Sequence, residues 1–159
     1  MDELLEEIAR CEYEENENTV NLKKVTTYGR ETENCLYVYG ALKRIAEKYD
    51  LDGLTVRCFD LLPHKVTGCL ALSLLNAEGI YAACEGDVPA LVSMCLIGSL
   101  SSKPVFMANP SRIDLEREEM VFAHCTLPLN MPDSYETMTH FESGLPVALR
   151  GKIREGDIT

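Results

Sequence analysis

The chain has 159 residues, 46% of them hydrophobic, with 15 basic and 26 acidic side chains for a formal net charge of −11. That length suits one ordinary domain or part of a larger protein, and the apolar content excludes wholesale disorder. The acidic balance excludes nucleic acid and anionic membrane as partners, because few cations are on offer to neutralise phosphate.

Residues 2–11 read as a short acidic, amphipathic helix, which excludes a secretory signal. The stretch EYEENENTVN that follows is polar and reads as a loop or linker. Residues 1–34 hold ten acids and four bases, net −6, and form an acidic N-terminal helix and linker. From Leu36 to Lys48 the apolar Val38, Leu42 and Ile45, continued by Tyr49, recur at helical spacing, with Lys43, Arg44 and Glu47 opposite. Asp52-Gly53 ends that helix, and residues 54–62 (LTVRCFDLL) read as a buried strand. Pro63 suits the first turn of a helix over 64–78, lined by Val66, Leu70, Leu74 and Ala77.

Gly79 stops that helix and IYAAC forms a second short strand. A helix over 88–99 then opens behind Asp87, with Val88, Leu91, Val92 and Cys95 on one face. Strand–helix–strand–helix with short connections predicts a parallel α/β layer over residues 35–102. After Ser102 the rhythm changes. PVFMANP, EEMVFAHCTLPL and GLPVALRGKI are strand-like runs between proline- and glycine-rich turns, so 103–159 reads as the start of an antiparallel β region. The fold class expected is therefore α/β: a partial parallel sheet with flanking helices, followed by an antiparallel β segment. That second part buries little alone, and EGDIT at its end reads as the start of another strand. A fragment of a longer protein or an obligate oligomer is expected.

Seven cysteines (Cys11, Cys35, Cys58, Cys69, Cys84, Cys95, Cys125) are odd in number, scattered, and without a C-x-x-C. Most lie in apolar runs, where free cysteine behaves as a small hydrophobe, a pattern that suits a reducing cytoplasm better than disulfides or a structural zinc site. The longest apolar stretches fall far below the ~20 residues that span a bilayer. A soluble cytoplasmic protein with no membrane partner is expected.

Ligand sites in α/β sheets form beyond the carboxyl ends of strands, where Glu85-Gly86-Asp87 stands. Asp87 is a helix cap or a site residue, and Glu85 a solvated turn residue or a site residue. Asn109, in FMANPSRID, belongs to turn chemistry or to a site. His124, in FAHC, is a core histidine or a metal ligand. His140 and Glu142, in THFESG, lie in an expected loop. A carboxylate, an amide and an imidazole could together hold an oxygen-preferring dication such as manganese.

The order and spacing of RCFDLL (57–62), ACEGDVPALVSM (83–94), PVFMANPSRID (104–114), VFAHCTLPL (121–129) and THFESGLPVAL (139–149) resemble the L-fucose/L-arabinose isomerase family. The likeness is closest to its smaller fucose isomerase-like members, and covers most of residues 36–150. The resemblance implies interconversion of an aldose and a ketose at a Mn2+ ion held by two acids and histidine. Glu85 falls on the first acid, a ligand that also moves protons, and His124 on a histidine ligand. The second acid would lie just after Phe106-Met107, where Ala108 and Asn109 stand. Asn109 is then a ligand or a contact to a sugar hydroxyl, Asp87 caps the helix and orients Glu85 beside the substrate, and His140 is a substrate contact. A further family histidine and the family's amino-terminal α/β domain are not among these residues. The implied partners are a small-molecule sugar and other copies of the chain. The alternative is a non-catalytic carbohydrate-binding or assembly domain that has lost the complete site.

Overall fold

The computed structural model describes residues 1–156. The helices are α1 (Asp2–Ile8), α2 (Glu17–Val25), α3 (Gly29–Lys48), α4 (Cys69–Ala77) and α5 (Val88–Ser101), with a 3-10 helix at Cys58–His64. The strands are β1 (Gly53–Thr55), β2 (Tyr81–Ala83), β3 (Asn109–Asp114), β4 (Glu119–Ala123), β5 (Ser134–Thr139) and β6 (Pro146–Lys152). The fold is mixed α/β, as expected. β1 and β2 pair in parallel, whereas β3–β4 and β5–β6 are antiparallel hairpins.

The core is organised around α3 and α4. Every residue of α4 from Cys69 to Asn76 is buried. The buried face of α3 includes Cys35, Leu36, Val38, Tyr39 and Leu42, the helical stripe visible in the sequence. β6 packs against both helices and adds Val147 and Leu149 to the same cluster. Thr67 Oγ1 ties the start of α4 to this strand by donating to the Val147 carbonyl at 3.0 Å.

Several elements differ from the sequence expectation for identifiable reasons. The second half of EYEENENTVN is helical rather than a linker, since α2 starts at Glu17. Asn16 and Thr19 form a reciprocal capping box, and Thr19 and Leu22 are buried beneath it. Asn16 Nδ2 also reaches Glu78, which accepts from the Tyr39 hydroxyl at 2.6 Å. The expected strand over 54–62 stops at Thr55, and Cys58–His64 is a 3-10 helix burying Cys58 and Leu61. A short apolar run carries no periodicity that separates strand from buried helix. Pro63 lies inside that 3-10 helix, and Lys65 is left-handed (φ 59°), so α4 begins at Cys69 rather than at 64.

The expected strand at 104–110 is displaced to Asn109–Asp114, because the preceding segment crosses the end of β2. There the Cys84 N–H points at Met107 Sδ, 3.5 Å away. The run EEMVFAHCTLPL is a strand only as far as Ala123. The strand expected at EGDIT lies mostly outside the described residues. No helix among the described residues is long and apolar enough to cross a membrane.

β2 is a short strand whose outer edge has no strand neighbour among the described residues. Asn76, from the end of α4, takes that place. Its Oδ1 accepts from Ala82 N–H and its Nδ2 donates to Ala82 C=O, both at 2.8 Å. The strand leading to Glu85 is thus held on one edge by β1 and on the other by a side chain.

Candidate functional site

Beyond Ala83 the chain reverses in four residues. Asp87 N–H donates to Cys84 C=O at 3.0 Å, and the two residues between, Glu85 (φ 61°) and Gly86 (φ 72°), are both left-handed. Two positive φ angles define the mirror-image type I turn, which favours glycine and asparagine. Gly86 supplies one of them without strain; Glu85 does not. A bulky residue in this region costs about 1–2 kcal/mol, and such strain concentrates at functional positions. Gly86 N–H closes the turn onto the Val56 carbonyl at 3.0 Å. Asp87 Oδ1 accepts from Ala90 N–H at 2.8 Å, making it the cap of α5.

The turn opens on a cavity of about 570 Å³ lined by Glu85, Asn109, His124 and His140, among others. Strand register explains much of this convergence. Asn109 pairs with Ala123, so it stands across the β3–β4 ladder next to His124. His140 and Glu142 come from the β5–β6 connection, where His140 C=O accepts from Gly144 N–H at 2.8 Å. Of the residues singled out in the sequence, Glu85, Asn109, His124, His140 and Glu142 share this cavity. Asp87 does not line it and is occupied as a helix cap.

His124 is half-buried, and its Nδ1 lies 2.9 Å from Thr126 Oγ1, which fixes the ring. Burial holds its pKa below the ordinary imidazole value; the Glu85 charge opposes that shift and His140 adds to it. His140 is buried, with Nδ1 3.1 Å from Ser143 Oγ.

Sequence reasoning missed the sulfur atoms behind this wall. Cys84 Sγ lies 3.0 Å from Cys58 Sγ, and Cys69 Sγ 3.2 Å from Cys125 Sγ. Hydrogen bonding with Cys125, reinforced by burial, pushes the Cys84 thiol up to about 12, although Cys58 pulls the other way. Cys58 is raised by its bond to Cys84 and by burial, and Cys125 by its bond to Cys69 and by burial. The one local signal was adjacency. Cys84 precedes Glu85 and Cys125 follows His124.

No family model matches the chain, and no solved structure matches it. The chain is similar to a protein named sulfoquinovose isomerase from Alkalicoccus urumqiensis. The two are 26% identical over 88 residues, which is 54% of this chain and 20% of that protein. It is also similar to a protein of the same name from Clostridium sp. (strain MSTE9). Here the identity is 25% over 122 residues, 76% of this chain and 27% of that one. The chain therefore spans roughly a fifth to a quarter of the length of these curated relatives. The likeness is to sugar isomerases, at a distance.

Proposed function

We propose that the chain forms one wall of an aldose–ketose isomerase site, with Glu85 moving the proton between neighbouring carbons of a sugar. The observation that carries this reading is the strained Glu85, held left-handed at the end of β2 on the same cavity wall as His124. A carboxylate placed there can take the proton from the carbon beside the carbonyl and return it to the former carbonyl carbon. Asn109 and His140 offer hydrogen bonds to sugar hydroxyls on the same wall. Asp87 acts one step away, since capping α5 fixes the turn that aims Glu85.

Manganese is the ion the resemblance implies. Glu85, His124 and the Asn109 amide oxygen are oxygen and nitrogen donors of the kind it takes, and they would hold it. Bound there, the ion would polarise the sugar's carbonyl and adjacent hydroxyl oxygens. Glu85 is the one carboxylate in this set, with Glu142 the other acid on the cavity wall, so the remaining ligands are assigned to further residues of a longer protein or to a second copy. The chain alone is accordingly expected to isomerise sugars weakly or not at all.

The test is titration of the metal-free chain with Mn2+ up to millimolar concentration, followed by electron paramagnetic resonance. Saturable binding is expected, weakened at least about tenfold by Glu85→Gln and by His124→Gln, and weakened less by Asp87→Ala, which loosens the turn but removes no ligand. Absence of binding at millimolar Mn2+, or binding indifferent to Glu85→Gln, would overturn the proposal.

A further inference from the structure

Cys69, Cys125 and His140 come from three separate parts of the chain: the first turn of α4, the segment after β4, and the end of β5. Their two sulfurs and a ring nitrogen all lie within 4.8 Å of one another. We propose that these three residues bind a thiophilic divalent cation, zinc by its donor set, with the fourth position open to the cavity.

Two thiolates and an imidazole suit zinc, whereas carboxylate and carbonyl oxygens suit manganese. Zinc binding would release one proton from each thiol. The two thiolate charges then cancel the dication, so the finished centre carries no net charge, as a buried position requires. Cys69 is 3% exposed and His140 7%, yet Cys125 and His140 both border the cavity. Three protein ligands with one face open is the arrangement of an exchangeable zinc position rather than a closed structural one.

The geometry needs little adjustment. Tetrahedral zinc with Zn–S bonds near 2.3 Å places its sulfurs roughly 3.8 Å apart. The 3.2 Å between Cys69 and Cys125 must therefore open by only about half an ångström. His140 Nδ1 faces Ser143, 3.1 Å from its Oγ and accepting from its N–H at 3.3 Å, which fixes the ring. A metal on Nε2 would move the ring proton to Nδ1, where Ser143 Oγ could accept it in place of the N–H contact. Cys69 is the first residue of α4, so its thiolate would sit at the positive end of a helix.

A second trio, Cys84, His124 and Cys125, also lies within 4.8 Å and shares Cys125. It is more open and draws on His124, which the isomerase reading already uses. The Cys69–Cys125–His140 trio uses neither Glu85 nor His124; the two readings share His140, a metal ligand here and a sugar contact there, so Co2+ and Mn2+ binding test them separately.

The experiment is titration of the reduced, metal-free chain with Co2+, followed by displacement with Zn2+. One equivalent of Co2+ is expected to give an intense near-ultraviolet sulfur-to-cobalt band with the visible bands of a tetrahedral site, and Zn2+ to abolish both. Cys69→Ser should remove about half of the sulfur band, and His140→Asn should weaken Co2+ binding at least about tenfold. Ser143→Ala, which keeps every ligand, should weaken it by about tenfold. Cys11→Ser, at an exposed position outside the cluster, should change nothing, and circular dichroism would verify that each variant folds. Absence of the sulfur band overturns the proposal. So does a band lost in Cys84→Ser and His124→Gln but kept in Cys69→Ser, which would place the ion on the second trio. A reduced chain that loses two hydrogens by mass under air, with no cobalt uptake, would make the pair a disulfide instead. Mn2+ resonance in the same samples reports on Glu85 and His124 independently.

Discussion

Replacing Asn76 by alanine removes the side chain that occupies the open edge of β2. Ala82 is fully buried, and Asn76 supplies both the acceptor for its N–H and the donor for its C=O. Each buried backbone group left unpaired costs about 1–3 kcal/mol. Two such groups give a loss of about 3 kcal/mol, allowing for some relaxation. For a chain of this length that corresponds to a fall in Tm of about 6–12 °C. Urea denaturation measures the free-energy change, and hydrogen exchange at the Ala82 amide localises it. Because Glu85 lies three residues beyond Ala82, Asn76→Ala should also weaken Mn2+ binding while touching no ligand. Asn76→Asp as a carboxylate keeps the acceptor, loses the donor and buries a charge, so it should be destabilised near neutral pH, and mild acid, which restores an O–H donor, should recover part of the loss. A loss below about 0.5 kcal/mol in Asn76→Ala, with Ala82 exchange unchanged, would refute the idea that Asn76 replaces a missing strand.

Three further outcomes follow from other parts of the molecule. Glu85→Gly relieves a left-handed backbone worth about 1 kcal/mol while adding freedom to the unfolded chain, so stability measured in urea should stay within about 1 kcal/mol of wild type as Mn2+ binding is lost; a loss beyond about 2 kcal/mol would show that the side chain is structural. Gly40→Ala should destabilise by about 1–3 kcal/mol despite alanine's helix propensity, because its Cβ would meet the Glu12 carbonyl oxygen at 2.1 Å, a thermal-melting result that sets packing against propensity. Burial keeps His124 neutral in the folded state, so as pH falls below 6.5 the unfolded chain takes up a proton that the folded chain does not. Stability of the metal-free chain should therefore decline on acidification until the lower folded-state pKa is passed, and His124→Gln should make that decline shallower in urea midpoints measured on either side of that pH.

By itself the sequence determined what depends on neighbours a few residues apart. The apolar stripe of α3, the Asp87 cap, the short strand before Glu85 and the antiparallel character of the C-terminal part all follow from local periodicity and turn chemistry. The grouping of Glu85, Asn109, His124 and His140 as candidates was also legible, through their order along the chain. Other features belonged to tertiary structure alone. Whether 54–62 extends or coils depends on how many residues β2 offers as a partner, and β2 ends after three because the chain turns at Glu85. The polar stretch before α3 becomes a helix because Asn16 and Leu22 find partners far along the chain. The sulfur cluster was hidden for the same reason. Residues 58, 69, 84 and 125 carry no spacing motif, and only the packing of α4 between the end of β2 and the segment after β4 brings their thiols together. Local sequence encodes backbone preference, whereas the convergence of side chains from distant segments is decided by which faces the core buries.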